Sequence, residues 1–165
     1  MNILVLGLGN ILLRDEGIGV HAVNAIKERC SFTSDVEVMD GGTLGLDLLP
    51  RFEGRDKILI IDAVDFKKEP GYIGILENDD IPSNLFAKLS VHHIGLSDLL
   101  YTARLMDIRP STIRLIGVQP QSLDVGLGMT DCLCAKMDEV ISLVIRTLKE
   151  WNRECVLQCP QKSYQ

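Results

Sequence analysis

The chain has 165 residues, enough for one domain, and a domain of that size buries roughly 70% of the surface its unfolded chain exposes. Hydrophobic residues are 46% and charged residues 24%, which excludes a disordered or membrane-embedded class. The formal net charge of -6, with Lys and Arg scattered along the chain, argues against nucleic acid and favours, at long range, a partner with a positive face.

Asn2 to Leu6 is a short apolar run that meets Gly7-Leu8-Gly9-Asn10, the pattern of a buried strand entering a loop. Ile18, Ala22, Ile26 and Cys30 recur every four residues and predict a helix over residues 17–30. Val36 to Met39 reads as a second strand, closed by Asp40-Gly41-Gly42-Thr43. A short helix around Leu44–Leu49 is expected to end at Pro50.

Lys57 to Asp62 is the clearest strand. Its four consecutive apolar residues, Ile58 to Ile61, require cover on both faces, as in a central strand of an α/β sheet. Tyr72 to Leu76 follows after too few residues for a parallel crossover and is expected to be antiparallel. Leu96, Leu99, Leu100 and Ala103 line one face of a helix over Gly95 to Met106. Thr112 to Val118 is the last strand, and Thr130 is placed to cap a final helix whose inward face carries Leu133, Val140, Val144 and Leu148. Strands alternating with helices predict a three-layer α/β/α sandwich around a mostly parallel, twisted, five-stranded sheet. Residues 1–150 form its single domain. After Trp151 the periodicity stops, and residues 151–165 are expected to be a flexible tail.

The five cysteines are Cys30, Cys132, Cys134, Cys155 and Cys159. None has paired CxxC spacing, and an odd count without a framework reads as reduced thiols. The opening residues lack the basic region and cleavage site of a signal peptide, so the cytoplasm is expected.

Ligand sites in open α/β sheets lie beyond the carboxyl ends of the strands. That rule collects Gly7–Glu16, Asp40–Thr43, Asp62 and Gln119-Pro120, with Ser90-Val91-His92-His93 on the loop into the helix at Gly95. Asp62 follows four apolar residues and is expected to be nearly buried, which is costly unless it is paired, protonated or metal-bound. Capping of the next turn is the structural alternative. Asp15 and Glu16 precede a helix N-terminus that favours acidic residues in any case, whereas the apolar loop Ile11-Leu12-Leu13 before them suits a rim for a partner. Glu16, Asp62 and one histidine would offer two oxygens and a nitrogen to a divalent ion with open positions. Alternatively, the two carboxylates could work as an acid–base pair. Gly95-Leu96-Ser97-Asp98-Leu99 imitates half of a nucleophile elbow but follows no strand.

Five segments together resemble one family. They are Ile3 to Asn10 running into Asp15-Glu16-Gly17-Ile18-Gly19-Val20, the Asp40–Thr43 turn, Ile60-Ile61-Asp62-Ala63, Ser90 to Leu96, and Gly117-Val118-Gln119-Pro120. In order and over residues 1 to about 150, they are similar to the nickel–iron hydrogenase maturation endopeptidases. The resemblance implies an α/β/α endopeptidase, aspartic-type or metal-assisted, that removes a C-terminal peptide from the hydrogenase large-subunit precursor after nickel insertion. It implies Glu16, Asp62 and His92 as metal-contacting residues, with His93 one register away. It implies Glu16 and Asp62 as catalytic, and Asp40, Gly41, Gly42 and Thr43 as substrate-selecting. Nickel is then expected on the substrate rather than as a resident cofactor. Three alternatives stay open: a dinucleotide-binding protein built on Gly7-Leu8-Gly9, although Leu12 replaces the third glycine; a non-catalytic nickel chaperone; and another hydrolase such as peptidyl-tRNA hydrolase.

Overall fold

The structure is a computed structural model that describes residues 1–81 and 95–157. Its centre is a five-stranded sheet of β1 (Ile3–Leu8), β3 (Val36–Gly42), β4 (Lys57–Ala63), β5 (Ile73–Glu77) and β6 (Thr112–Val118) in the order β3-β1-β4-β6-β5. The pairs β1–β3, β1–β4 and β4–β6 are parallel, and β5 pairs antiparallel with β6. The short Pro70-Gly71 connection therefore sets strand direction as expected, because a parallel crossover needs a longer path.

Strand alternation sorts the apolar side chains into two cores. Ile3 and Val5 of β1 and Leu59 and Ile61 of β4 meet α1 (Ile18–Arg29) and the last helix on one face. Leu4, Leu6, Ile58 and Ile60 meet α2 (Leu49–Phe52) and α3 (Leu96–Leu105) on the other. Both faces are covered, which explains why the central strands read as unbroken apolar runs. Each such side chain, fully buried, contributes about 1.5–3 kcal/mol.

Two local expectations are corrected. Pro50 does not end a helix at Leu49. A 3-10 turn over Gly45–Leu48 leads into α2, and Pro50 lies in its first turn, where a missing N–H costs nothing and the fixed φ suits the helix. Thr130 does not open one long final helix. The segment divides into α4 (Asp131–Cys134) and α5 (Met137–Glu150). Thr130 makes no side-chain cap, and its hydroxyl instead donates to Asp15 Oδ2 at 2.9 Å. The side chain is oriented to donate to a buried, ionised acceptor, and such a charge-assisted bond is stronger than a neutral cap.

Beyond Trp151, Val156–Leu157 forms a short strand, β7, antiparallel to β2 (Cys30–Ser31). Arg153 Nε donates to Asp35 Oδ2 at 2.6 Å, tying this return to the loop before β3. Residues 158–165, including Cys159, lie outside the described residues.

Glycines let α1 lie close on the sheet. A methyl group at Gly7 would strike the Gly19 carbonyl, and one at Gly19 would strike the carbonyl oxygens of Ile61 and Leu8. Helix propensity alone would make Gly19→Ala stabilising by about 1 kcal/mol, whereas overpacking against rigid backbone costs about 1–3 kcal/mol or more. Packing should win, and the urea midpoint of Gly19→Ala should fall below that of the parent. An unchanged or higher midpoint would mean that the helix lifts from the strand without cost.

Candidate active site

The carboxyl ends of β1, β3 and β4 and the N-terminus of α3 surround a pocket of about 90 Å³. Glu16, Asp62, Gly42, Thr43, Gly95 and Leu96 are among its lining residues. Two of the predicted chemical residues thus share one small space, although 46 positions separate them in sequence. Gly42 and Thr43 of the Asp40–Thr43 turn border the same space. Asp40 itself is exposed, and its Oδ1 accepts the Gly42 N–H at 2.9 Å. Gly41 is buried, and a methyl group there would press on the terminal methyls of Leu6 and Leu8. His92 and His93 lie outside the described residues.

Asp62 is half-buried rather than nearly buried. It occupies the sixth position of β4, opposite Gly117 of β6, where the strand has reached the rim of the sheet. The apolar run sets the depth of Ile58 to Ile61, whereas the crevice sets that of Asp62.

Glu16 arrives through backbone contact. It belongs to a 3-10 turn, Arg14–Gly17, that runs directly into α1. Gly9 has φ +129, and a side chain there would occupy the position of the Glu16 carbonyl oxygen. The second glycine of Gly7-Leu8-Gly9 therefore makes room for the chain's own return. In a dinucleotide fold that glycine would make room for a pyrophosphate, so its use here counts against that alternative. Gly19 completes the approach by seating α1 on Ile61, the residue before Asp62. Glu16 Oε2 is buried and has no hydrogen-bond partner among the described residues.

The neighbouring Asp15 has a different task. It is fully buried. Its Oδ2 accepts from the N–H groups of Gln121 (2.9 Å) and Ser122 (3.0 Å) and from the Thr130 hydroxyl, and its Oδ1 accepts the Thr130 N–H at 2.7 Å. Burial pushes its pKa up, but the hydrogen bonds from Thr130, Ser122 and Gln121 outweigh it and hold the carboxyl below its ordinary value. Local chemistry could not separate Asp15 from Glu16, since both suit a helix N-terminus, and only the family resemblance singled out Glu16. The structure sends one into a loop clamp and the other into the pocket.

Gln119, expected at the crevice, is also scaffold. Its Oε1 accepts from the N–H of Phe66 (2.7 Å) and of Lys68 (3.3 Å), and its Nε2 donates to Asp65 Oδ1 at 3.2 Å. The Lys67 side chain, the Lys67 N–H and Gln119 together hold Asp65 at a pKa of about 2. This braces the turn leaving β4, and the Phe66 ring lies where side chains at Gly74 and Gly117 would otherwise go. At α3, Asp98 Oδ2 accepts the Gly95 N–H at 3.0 Å. The apparent half of a nucleophile elbow is thus a helix start with its acidic third residue reaching back to the cap.

The hydrogenase maturation protease family profile matches residues 20–147. The chain belongs to that family. It is 40% identical over 157 residues to the hydrogenase 2 maturation protease of Escherichia coli K12, an alignment covering 94% of this chain and 96% of that one. Against the hydrogenase expression/formation protein HupD of Rhodobacter capsulatus it is 40% identical over 154 residues, covering 92% and 73%. Its structure superposes on the hydrogenase maturating endopeptidase HybD from E. coli with a TM-score of 0.90 at 39% identity, covering 96% and 98% of the two chains. A hydrogenase 2 maturation peptidase from a thaumarchaeote gives 0.70 at 28% identity, covering 90% and 99%. The family match fixes the fold and the general role in hydrogenase maturation, and the α/β/α architecture predicted from sequence is the one observed.

For this maturation protease, Asp15→Asn tests the clamp. A carboxylate whose pKa is lowered by folding stabilises the native state above its unfolded pKa, about 3.9. That stabilisation is lost as pH falls through the still lower folded value. Asp15→Asn should therefore cost more than about 2 kcal/mol at neutral pH. The gap from the parent should narrow below about pH 4, read by denaturant unfolding across pH. A gap independent of pH would assign the loss to packing instead of charge.

Proposed function

We propose that the chain is the endopeptidase that removes the C-terminal peptide of a nickel–iron hydrogenase large-subunit precursor after nickel insertion, working in the cytoplasm. The observation that carries this reading is Glu16 Oε2, buried and without a hydrogen-bond partner among the described residues, in a pocket shared with Asp62. A buried carboxylate oxygen left unmatched costs about 1–3 kcal/mol or more. A site that carries such a cost gains by binding a ligand that satisfies the oxygen.

The donor set suits a divalent ion. Glu16 and Asp62 supply two oxygens, and His92, which the family resemblance puts in the third position and which lies outside the described residues, is assigned as the third ligand. Carboxylate oxygens with an imidazole nitrogen fit a borderline ion such as nickel. In this reading nickel belongs to the substrate. Precursor groups already holding the ion keep part of its coordination, and Glu16, Asp62 and His92 complete it. The ion then reports that loading has occurred and orients the scissile bond, and orientation accounts for much of a hydrolase's rate. One of the two carboxylates takes the proton of the attacking water as general base. The Asp40–Thr43 turn, at the lip of the pocket through Gly42 and Thr43, selects the precursor.

Mass spectrometry of purified precursor with purified enzyme tests the scheme. Nickel-loaded precursor should shorten by one peptide, and nickel-free precursor should stay intact. Glu16→Gln and Asp62→Asn should each slow processing of the loaded form by about 100-fold or more. Equal cleavage of loaded and empty precursor would remove nickel from the scheme. Full-rate cleavage by both variants would remove the site.

A further inference from the structure

Beside the pocket, two loops are joined into one projecting ridge. Gly126 N–H donates to the Leu12 carbonyl at 2.9 Å, Arg14 N–H donates to the Gly126 carbonyl at 3.2 Å, and Leu13 and Gly126 form a parallel bridge. The Asp15 clamp locks the base of both loops through Gln121, Ser122 and Thr130. The ridge is thus held by hydrogen bonds at its base and along its length. On it Leu12, Leu123, Val125 and Leu127 are 55%, 53%, 87% and 78% exposed. Single exposed aliphatic residues are ordinary, but four on one clamped pair of loops form the kind of patch that marks an interaction surface.

A cation lies within this patch. Arg14 has φ 48, an uncommon conformation for a residue with a side chain, and its side chain crosses Gly126, with Nε 3.1 Å from where a Cβ would be. It makes no ion pair with a described residue, in a chain whose net charge is -6. The exposed aliphatic residues flank Arg14 along both loops, and its side chain also lines a cavity with Gln121, Ser122, Thr130 and Asp131. The aliphatic residues and the guanidinium together fit an apolar stretch of chain that carries a carboxylate, for which Arg offers a forked donor.

We propose that this ridge is a second contact site for the large-subunit precursor, binding an aliphatic segment with an acidic group near the scissile bond. The inference rests on the proposed function. Its support is continuity: the loop that displays Leu12 and Arg14 is the same loop that delivers Glu16 to the pocket, two residues after Arg14. A precursor segment with its scissile bond at Glu16 needs to extend only about 7 Å, the span of two residues, to meet the ridge. The ridge then adds binding energy away from the reacting bond, and so acts on KM and complex lifetime more than on the chemical step.

The test combines binding and cleavage of nickel-loaded precursor by the parent, the double variant Val125→Asp/Leu127→Asp, and Arg14→Gln. Both aspartates replace strongly exposed side chains, and unchanged circular dichroism and melting would confirm the fold. The double variant should weaken precursor binding and raise KM by about tenfold or more, with kcat within about twofold. Arg14→Gln should raise KM by about threefold to tenfold and flatten its dependence on salt, because a partly exposed charge pair is screened. If the parent binds precursor without cutting it and the ridge variants bind more weakly, the ridge stands and the proposed activity falls. If the parent cuts and the ridge variants bind and cut equally well, the ridge proposal alone is overturned. Precursor that binds neither form would overturn both. Sedimentation of the parent as a dimer that Val125→Asp/Leu127→Asp dissociates, with precursor KM unchanged, would assign the ridge to a second copy of the chain and overturn the proposal.

Discussion

The Asp15 carboxylate, buried with three N–H or O–H donors on one oxygen and one on the other, joins parts of the chain more than 100 residues apart. An ionised group at that depth is tolerable only when its oxygens are matched. The donors come from residues 121, 122 and 130, so matching them fixes the loop after β6 against the turn before α1. Glu16 is the next residue in that turn. The pocket and the ridge therefore share one anchor, and neither keeps its shape without it.

A second constraint acts through absent atoms. Gly9 and Gly19 let the Arg14–Gly17 turn and α1 approach the sheet at backbone distance. That approach brings the Glu16 carboxylate to the rim of β4, where Asp62 projects. The Gly-Leu-Gly opening that resembles a nucleotide loop thus serves internal packing. The same glycine pattern can admit a phosphate or the chain's own carbonyl, and only the path of the following residues decides which.

The remaining polar groups near the rim are mostly braces. Gln119 fixes the turn leaving β4, Asp98 starts α3, and Asp40 closes its own turn onto Gly42. Against this satisfied background the Glu16 oxygen, unmatched among the described residues, is conspicuous. Native proteins leave few buried polar atoms unpaired, and those few tend to sit where something binds. His21 Nε2 on α1 is likewise buried and without a hydrogen-bond partner among the described residues, and nothing in the structure assigns it a role.

Periodicity in the sequence was enough to determine the layered fold, because apolar alternation and helical spacing are local consequences of which faces must leave water. The continuous run Ile58–Ile61 showed that β4 is central, and the short connection to β5 showed its direction. Family resemblance singled out Glu16, Asp62 and His92, the last of which lies outside the described residues. Other features depended on contacts between distant residues and left no local trace: the division of labour between Asp15 and Glu16, the capture of Thr130 away from its cap, the half-exposure of Asp62, and the pairing of the 12–14 and 126 loops. Pro50 is ambiguous in the sequence because proline both ends helices and begins them, and position within the turn is invisible to composition. Local chemistry decided what each segment becomes, and tertiary packing decided which polar groups were left with work to do.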